Sequence, residues 1–543
     1  MTSSSTETPL RPSQTAPTPA TALAALAGAT VCGSPDQTHL DQTLLDQTLV
    51  TGITLRAQRV LPGDLFAALP SLAPGRPHGA DFAGIALAAG AVAVLTDPAG
   101  AQRSALAGAA VPVLVHPHPR SVLGELSAHI YGDPSTRLAV LGITGTSGKT
   151  TTAYLLQAGL RAAGVTTGLL GTVQLRIGEQ HLPTRGGTTP EAPDLQALLA
   201  LMVERGITHV PIEVSSHALA LGRVAATAFA VGAFTNLSQD HLDFHADLEG
   251  YFATKAMLFD GRAGAEVVCI DDAWGQRLVT PASVTVSLNA AALNAAALNA
   301  AALNAAAFNG PEDRAATWSA GDIVADPDGT QHFLVLGPGG LQVPATLRLP
   351  GAFNVSNALL ALAVGHAAGA DPVLLARGMS TAEVPGRMQR IDAGQGFLVV
   401  VDYAHKPAAV AALLEAVRAQ IPRRLLVVLG CGGDRDTGKR SLMGAEAARR
   451  ADLLVVTDDN PRSEDPAVIR AAILSGARTG SAEVVEIADR AEAIAHAVAR
   501  AGPGDAVVVA GKGHETGQRV HGVTHPFSDA EVLARALADR STR

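Results

Sequence analysis

Three cysteines in 543 residues, Cys32, Cys269 and Cys431, stand too far apart to form a CxxC pair. That spacing argues against a disulfide framework and against a zinc site, and it fits a reducing compartment. Aromatic residues make up only 3% of the chain, and lysine is scarce beside arginine. No basic cluster interrupts a formal net charge of −9, so nucleic acid is not expected as a partner. No apolar run reaches the ~18–20 residues that a membrane span needs, so no membrane partner is expected either. The apolar stretch from Ala20 to Val31 follows a leader with one basic residue, Arg11, and has no convincing cleavage pattern. A first helix is expected there rather than a signal peptide, and with it a cytoplasmic location.

What is present is a globular composition, 47% hydrophobic and 16% charged. Short Val/Leu runs alternate with Ala/Leu-rich stretches, the texture of an α/β protein, and the length is too great for one core. Residues 1–20, rich in Ser, Thr and Pro, read as a disordered tail. The triplet DQT recurs at Asp36, Asp41 and Asp46, and LNAAA recurs from Leu288 to Ala307. A five-residue period fits neither helix nor strand, so both read as loop insertions, the second over about 288–310. Three domains are expected: a small mixed α/β unit over 21–136, a central parallel sheet over 137–384, and a Rossmann-like unit over 385–543. In the last, the runs Leu398–Val401, Leu425–Leu429, Leu453–Val456 and Val507–Ala510 each lead into a polar or Gly-rich loop. That is a doubly wound sheet, with ligands at the carboxyl ends of its strands.

The string GITGTSGKTT, Gly142 to Thr151, lies between a strand-like run and a helical stretch, the context of a phosphate-binding loop. Backbone N–H groups of Gly145, Thr146, Ser147 and Gly148 are expected to cradle phosphates, with Lys149 on the β/γ oxygens and Thr150 on magnesium. Ile143 stands where the strict GxxxxGK[ST] pattern has its first Gly. Glu213 ends the apolar strand of HVPIEVSSH, where a carboxylate suits a magnesium ion. Lys255 shares a helical face with Leu248, Tyr251, Leu258 and Phe259. Periodicity alone leaves two readings open: an amine that snorkels to water, or a buried one that reacts in its neutral form. His241, just upstream, is equally open between a structural residue and a ligand.

Together GTSGKTT, Thr188–Pro190, EVSSHAL, TNLSQDHLDFH, GAFNVSNALLA, VPGRMQR, DYAHKP, GCGGDRDTGKR, DNPR and GKGHE resemble the Mur ligase family from about Val60 to Glu515. The resemblance implies an ATP-dependent ligase that forms an amide bond on a UDP-N-acetylmuramoyl-dipeptide through an acyl phosphate. Within it Gly145 to Thr151, Asn354, Arg387, Asp402 and His405 would bind ATP, and Thr150, Glu213, His241 and Lys255 would hold Mg2+. Lys149, Lys255 and His241 would be catalytic, Lys255 as a carbamate formed with carbon dioxide. Thr188, Thr189, Ser215 and Arg223 would hold the UDP-dipeptide. Arg435, Asp459, Asn460, Arg462, Gly511 and Glu515 would hold a diamino acid. DNPR resembles the form that accepts meso-diaminopimelate, because a guanidinium pairs with the distal carboxylate that lysine and ornithine lack. A monomer is expected.

The chain departs from the family at Arg56, Ala57 and Gln58, where relatives read DSR, and at Ser147 and Lys406, where Asn and Thr are common. Two rival readings are a folylpolyglutamate-type ligase, which should lack DNPR and GKGHE, and a silent scaffold, which should have lost Lys149, His241 or Lys255.

Overall fold

The computed structural model describes residues 10–32, 42–73, 75–106, 109–182, 187–242, 244–288, 317–326 and 328–541. The chain divides into two compact units, one of residues 1–142, 166–230 and 260–264, the other of 143–165, 231–259 and 265–543.

In the first unit a five-stranded sheet runs in the order Thr30–Cys32, Val113–Val115, Ala93–Thr96, Asp64–Ala67, Gly52–Thr54. Three of its four pairings are parallel, and the one at the Thr30–Cys32 edge is antiparallel. Leu65, Leu95 and Leu114 on one face pack with Leu23 of the helix Ala20–Ala27 and with Leu123 and Leu126 of the helix Pro119–Ile130. The expected first helix is therefore present, closed at Gly28 in the left-handed region that glycine adopts without strain. The same unit carries Gly168–Leu170 beside His209–Glu213 in parallel and the hairpin Leu175–Leu182 on its other side.

Two compositional expectations meet different structure here. Residues 1–9 lie outside the described residues, but from Leu10 on the Ser/Pro-rich segment is tied down. Arg11 pairs with the buried Asp64, and Thr18–Pro19 pairs with Leu49–Val50. The second DQT copy does not form a loop: Gln42–Gln47 is helical and packs on Ala20–Ala27, with Leu45 buried. Burial of one leucine outweighs a period that fits no face. The DQT copy at Asp36 and the LNAAA run beyond Leu288 lie outside the described residues.

In the second unit the four strands expected from the apolar runs are joined by two edge strands that were not expected, Gln389–Arg390 and Glu483–Glu486, in a six-stranded sheet. Its order is Gln389–Arg390, Leu398–Asp402, Ala506–Ala510, Leu425–Leu429, Leu453–Val456, Glu483–Glu486. All pairings are parallel except at the Gln389–Arg390 edge. Continuous Val/Leu runs are what a sheet covered on both faces requires. Val399, Val428, Val455 and Val507 pack against Ile494 and Val498 of the helix Arg490–Arg500. The loops after these strands therefore open at their carboxyl ends. A second group of strands, Ala263–Cys269 to Gln342–Leu347, ends in two antiparallel pairings. The helix Ala352–Ala367 that follows packs on the helix Lys149–Ala162. Among the described residues no helix is long and apolar enough to cross a membrane.

Candidate active site

The phosphate loop sits between the strand Ala139–Thr144 and the helix Lys149–Ala162. Gly145 and Gly148 adopt positive φ of 142° and 89°. A Cβ at Gly148 would run into Asn357 Oδ1, and one at Gly145 into Thr235 Oγ1, so both positions are closed to larger residues. Thr235 and Asn236, which open TNLSQDH, hold the loop's shape. Thr146 N donates to Asn236 O at 2.8 Å, Ser147 N to Asn236 Oδ1 at 3.0 Å, and Thr235 Oγ1 to Ser147 O at 2.7 Å. Lys149 Nζ donates to Gly145 O at 2.8 Å and Thr146 O at 3.1 Å. Thr150 and Thr151 are buried in the first turn.

Lys255 is 1% exposed, which decides against snorkelling. Its Nζ donates to Gly145 O at 2.8 Å and lies 4.6 Å from the centre of the Tyr251 ring. Burial holds its pKa well below the ordinary lysine value, and the nearby Lys149 and Lys406 lower it further. The Tyr251 hydroxyl reaches Thr146 Oγ1 at 3.3 Å. His241 adopts φ 53°, a conformation that costs a non-glycine residue energy, and its Nε2 stands 3.2 Å from Asp240 Oδ2. Asp240 is buried and pairs with Lys406 Nζ at 2.8 Å, and its pKa is strongly lowered. Burial alone would raise it, and the charge and hydrogen bond of Lys406 bring it down.

Beside this group, Arg387 Nη2 reaches Thr150 Oγ1 at 3.4 Å and its guanidinium lies over the Tyr403 ring at 4.3 Å. Asp402 accepts from Met388 N and Ala404 N at 2.7 Å each, and burial raises its pKa. His405 Nδ1 donates to Tyr403 O at 2.7 Å. Loss of water, and then Lys406 and Lys439, hold its pKa well below 6.5, so the ring is neutral. Asn354 is buried, donates to Pro350 O at 2.8 Å, and accepts from Asn357 Nδ2 at 3.2 Å.

At the carboxyl ends of the six-stranded sheet a second group forms. Asn460 Nδ2 donates to Asp459 Oδ1 at 3.0 Å and to Glu515 Oε2 at 2.7 Å. Lys512, fully buried, donates to Asn460 Oδ1 and Glu515 Oε2 at 3.1 Å each and to Gly517 O at 2.7 Å. A Cβ at Gly511 would meet Asp459 Oδ2 at 2.6 Å. Arg462 adopts φ 56° and is held by backbone hydrogen bonds to Arg519 and His521 and by its Nη1 on Gly433 O. Burial, then the charge of Arg435, lowers its pKa. Arg435 itself is exposed, with Nη1 on Asp434 O at 3.1 Å.

In the first unit Glu213 is 1% exposed and accepts from Thr172 N at 2.8 Å and Thr172 Oγ1 at 3.0 Å. Thr172 Oγ1 also meets Thr188 Oγ1 at 3.1 Å. Thr189 Oγ1 donates to Glu213 O at 2.8 Å and accepts from Ser215 N at 3.1 Å. Ser215 caps the helix Ser216–Ala220. Arg223 donates to Thr189 O at 3.1 Å and pairs with Glu191 at 2.9 Å. Thr188, Thr189, Glu213, Ser215 and Arg223 thus form one polar group in this unit.

The Mur ligase middle domain matches residues 143–365, and the glutamate ligase domain of Mur ligases matches 386–513. A UDP-N-acetylmuramoyl-L-alanyl-D-glutamate–2,6-diaminopimelate ligase of Corynebacterium efficiens is 53% identical over 485 residues, covering 87% of each chain. The protein of the same name from Streptomyces coelicolor is 51% identical, covering 90% of this chain and 92% of that one. The chain belongs to the Mur ligase family. A solved ligase of that name is similar at TM-score 0.61 and 31% identity, covering 94% of this chain and all of the other. A folylpolyglutamate synthase of Mycobacterium tuberculosis, at TM-score 0.53 and 20% identity over 78% of this chain, shares the fold alone.

Several residues of this Mur ligase were not singled out by the sequence: Thr172, Thr235, Asn236, Asp240, Asn357 and Lys512. Thr235, Asn236 and Asp240 lie inside TNLSQDH, and Lys512 lies inside GKGHE, so the motifs held the signal. Thr172 has no sequence signal; its hydroxyl matters only because the strand Gly168–Leu170 pairs with the strand that ends at Glu213.

Proposed function

We propose that this Mur ligase joins meso-diaminopimelate to UDP-N-acetylmuramoyl-L-alanyl-D-glutamate with consumption of ATP. The observation that carries the proposal is the Arg462–Asn460–Glu515 group, which offers a guanidinium and a carboxylate at neighbouring positions. Such a pair suits the distal carboxylate and distal ammonium of diaminopimelate. The relatives at 51–53% identity bear that amino acid in their names. L-Lysine or L-ornithine would leave the half-buried Arg462 guanidinium without a carboxylate partner.

The D-glutamate side-chain carboxylate attacks the γ-phosphorus of ATP, ADP leaves, and an acyl phosphate forms. The amine of diaminopimelate then adds to the acyl carbon, loses a proton, and expels phosphate. The backbone N–H groups of Thr146 and Ser147, expected to meet phosphates, are instead taken by Asn236, so the loop offers the phosphates the N-terminus of the helix Lys149–Ala162 and the mobile positive charge of Lys149. Arg387, Asn354, Asp402 and His405 are assigned to the nucleotide, and Thr188, Thr189, Ser215 and Arg223 to the UDP-dipeptide.

Of the groups that the resemblance assigns to magnesium, the Thr150 hydroxyl of the second unit and the buried Glu213 carboxylate of the first are the hard oxygen donors the ion takes, and the His241 imidazole is not. When bound, the ion would neutralise charge on the transferring phosphoryl group. Lys255 fits a carbamate, since it is buried and its amine is biased to the neutral, nucleophilic form. The nitrogen would add to carbon dioxide and lose a proton, leaving a carboxylate-like group. With this function goes the proposal that the chain acts in the cytoplasm as a monomer.

The test is phosphate release by the purified chain with ATP and magnesium. Release should depend on both the UDP-dipeptide and an amino acid acceptor. ATP turnover that ignores the UDP-dipeptide would contradict the reading, and no turnover at all would return the scaffold.

A further inference from the structure

The chain has five lysines, and three of them meet at two carbonyl oxygens of the phosphate loop. Gly145 O accepts from both Lys149 and Lys255 at 2.8 Å. Thr146 O accepts from both Lys149 and Lys406 at 3.1 Å. Lys406 comes from the loop after the strand Leu398–Asp402, within the segment matched by the glutamate ligase domain. The phosphate loop belongs to the middle-domain match. Its ammonium is 7% exposed and is held on its other side by Asp240 at 2.8 Å. Asp240 stays ionised beside it and fixes where the ammonium points.

A carbonyl oxygen has two lone pairs, and each of these two is met by the side-chain nitrogens of two lysines. If the Lys149 amine turns from the loop to a phosphate, Gly145 O keeps Lys255 and Thr146 O keeps Lys406. Without Lys406, the same turn would leave Thr146 O without a lysine, in a loop where a buried unsatisfied carbonyl is costly. We propose that Lys406 is a positioning residue for Lys149: by holding the Thr146 carbonyl against Asp240, it frees the Lys149 amine for the nucleotide's phosphates. The proposal rests on the assignment of Lys149 to those phosphates.

The test is calorimetric binding of Mg-ADP to the full chain and to K406M, K149M and the double variant. K406M should weaken ADP about tenfold, the weight of one hydrogen bond from a charged donor. In the K149M background the same change should cost less than twofold, because no lysine is left to be released. K406R should restore most of the affinity. An unchanged affinity in folded K406M, or a tenfold loss that persists beside K149M, would overturn the proposal. A merely structural role would act equally in both backgrounds. If K406M fails to fold because Asp240 loses its partner, K406M/D240N removes both charges and serves instead, compared with D240N. Failure of both to fold would make Lys406 structural and also overturn the proposal. K149M that binds ADP as tightly as the unaltered chain would instead refute the assignment of Lys149, whatever Lys406 does.

Discussion

Removing the Arg462 guanidinium should abolish the preference for diaminopimelate without unfolding the chain. The backbone at this position is fixed by hydrogen bonds from Arg462 N to Arg519 O and from His521 N to Arg462 O, which Arg462→Ala retains. Alanine meets the same positive φ of 56° that arginine already tolerates, so the backbone cost changes little. What is lost is the side chain's bond to Gly433 O and the charge offered to the substrate. A bidentate pair with a carboxylate is worth about 3–4 kcal/mol here, two hydrogen bonds to charged groups taken near the low end because the guanidinium is half-buried. At 1.4 kcal/mol per tenfold, kcat/KM for diaminopimelate should fall by roughly 10²–10³. For L-lysine, which has no distal carboxylate, it should change little or rise. Steady-state phosphate release with each amine gives both numbers, and Arg462→Lys should recover only part of the loss. A loss below threefold for diaminopimelate would refute the role of Arg462.

Lys255→Ala should lower turnover severely, and a small added carboxylate such as formate should restore part of it; full activity without rescue would remove the carbamate. Arg490→Met should destabilise the second unit by about 3–5 kcal/mol in urea unfolding, because it leaves the fully buried Asp529 without the guanidinium that meets it at 2.7 and 2.8 Å. R490M/D529L should recover most of that loss, and a mild single variant would contradict the burial. His405 is held neutral in the fold, so below pH 6.5 the unfolded chain takes up a proton that the folded chain refuses. Stability should therefore be complete above pH 6.5 and fall as the pH drops toward the lowered folded value. His405→Gln should flatten that loss in thermal unfolding scans, and an identical acid profile would contradict the assignment.

Four of the six strands of the sheet were legible because each is a continuous apolar run, and Leu425–Leu429 and Leu453–Val456 begin and end where the runs do; the edge strands Gln389–Arg390 and Glu483–Glu486 carry no such run. Burial of Lys255 was half legible: the apolar neighbours at helical spacing were visible, but periodicity could not say whether the amine reaches water. Packing against Tyr251 and the Gly145 carbonyl decides it. Short polar contacts were the opaque part. Thr172 meets Glu213 and Lys512 meets Asn460 through tertiary placement that no spacing records. The DQT period misled because it measured repetition rather than burial, and Leu45 anchors a helix that the repeat hides.

The central claim is tested most directly by product formation with ATP, magnesium and UDP-N-acetylmuramoyl-L-alanyl-D-glutamate, each well given meso-diaminopimelate, L-lysine or L-ornithine. The account predicts a UDP-tripeptide, identified by mass, with diaminopimelate, and a kcat/KM lower by orders of magnitude with the other two. Equal or better turnover with lysine or ornithine would contradict it.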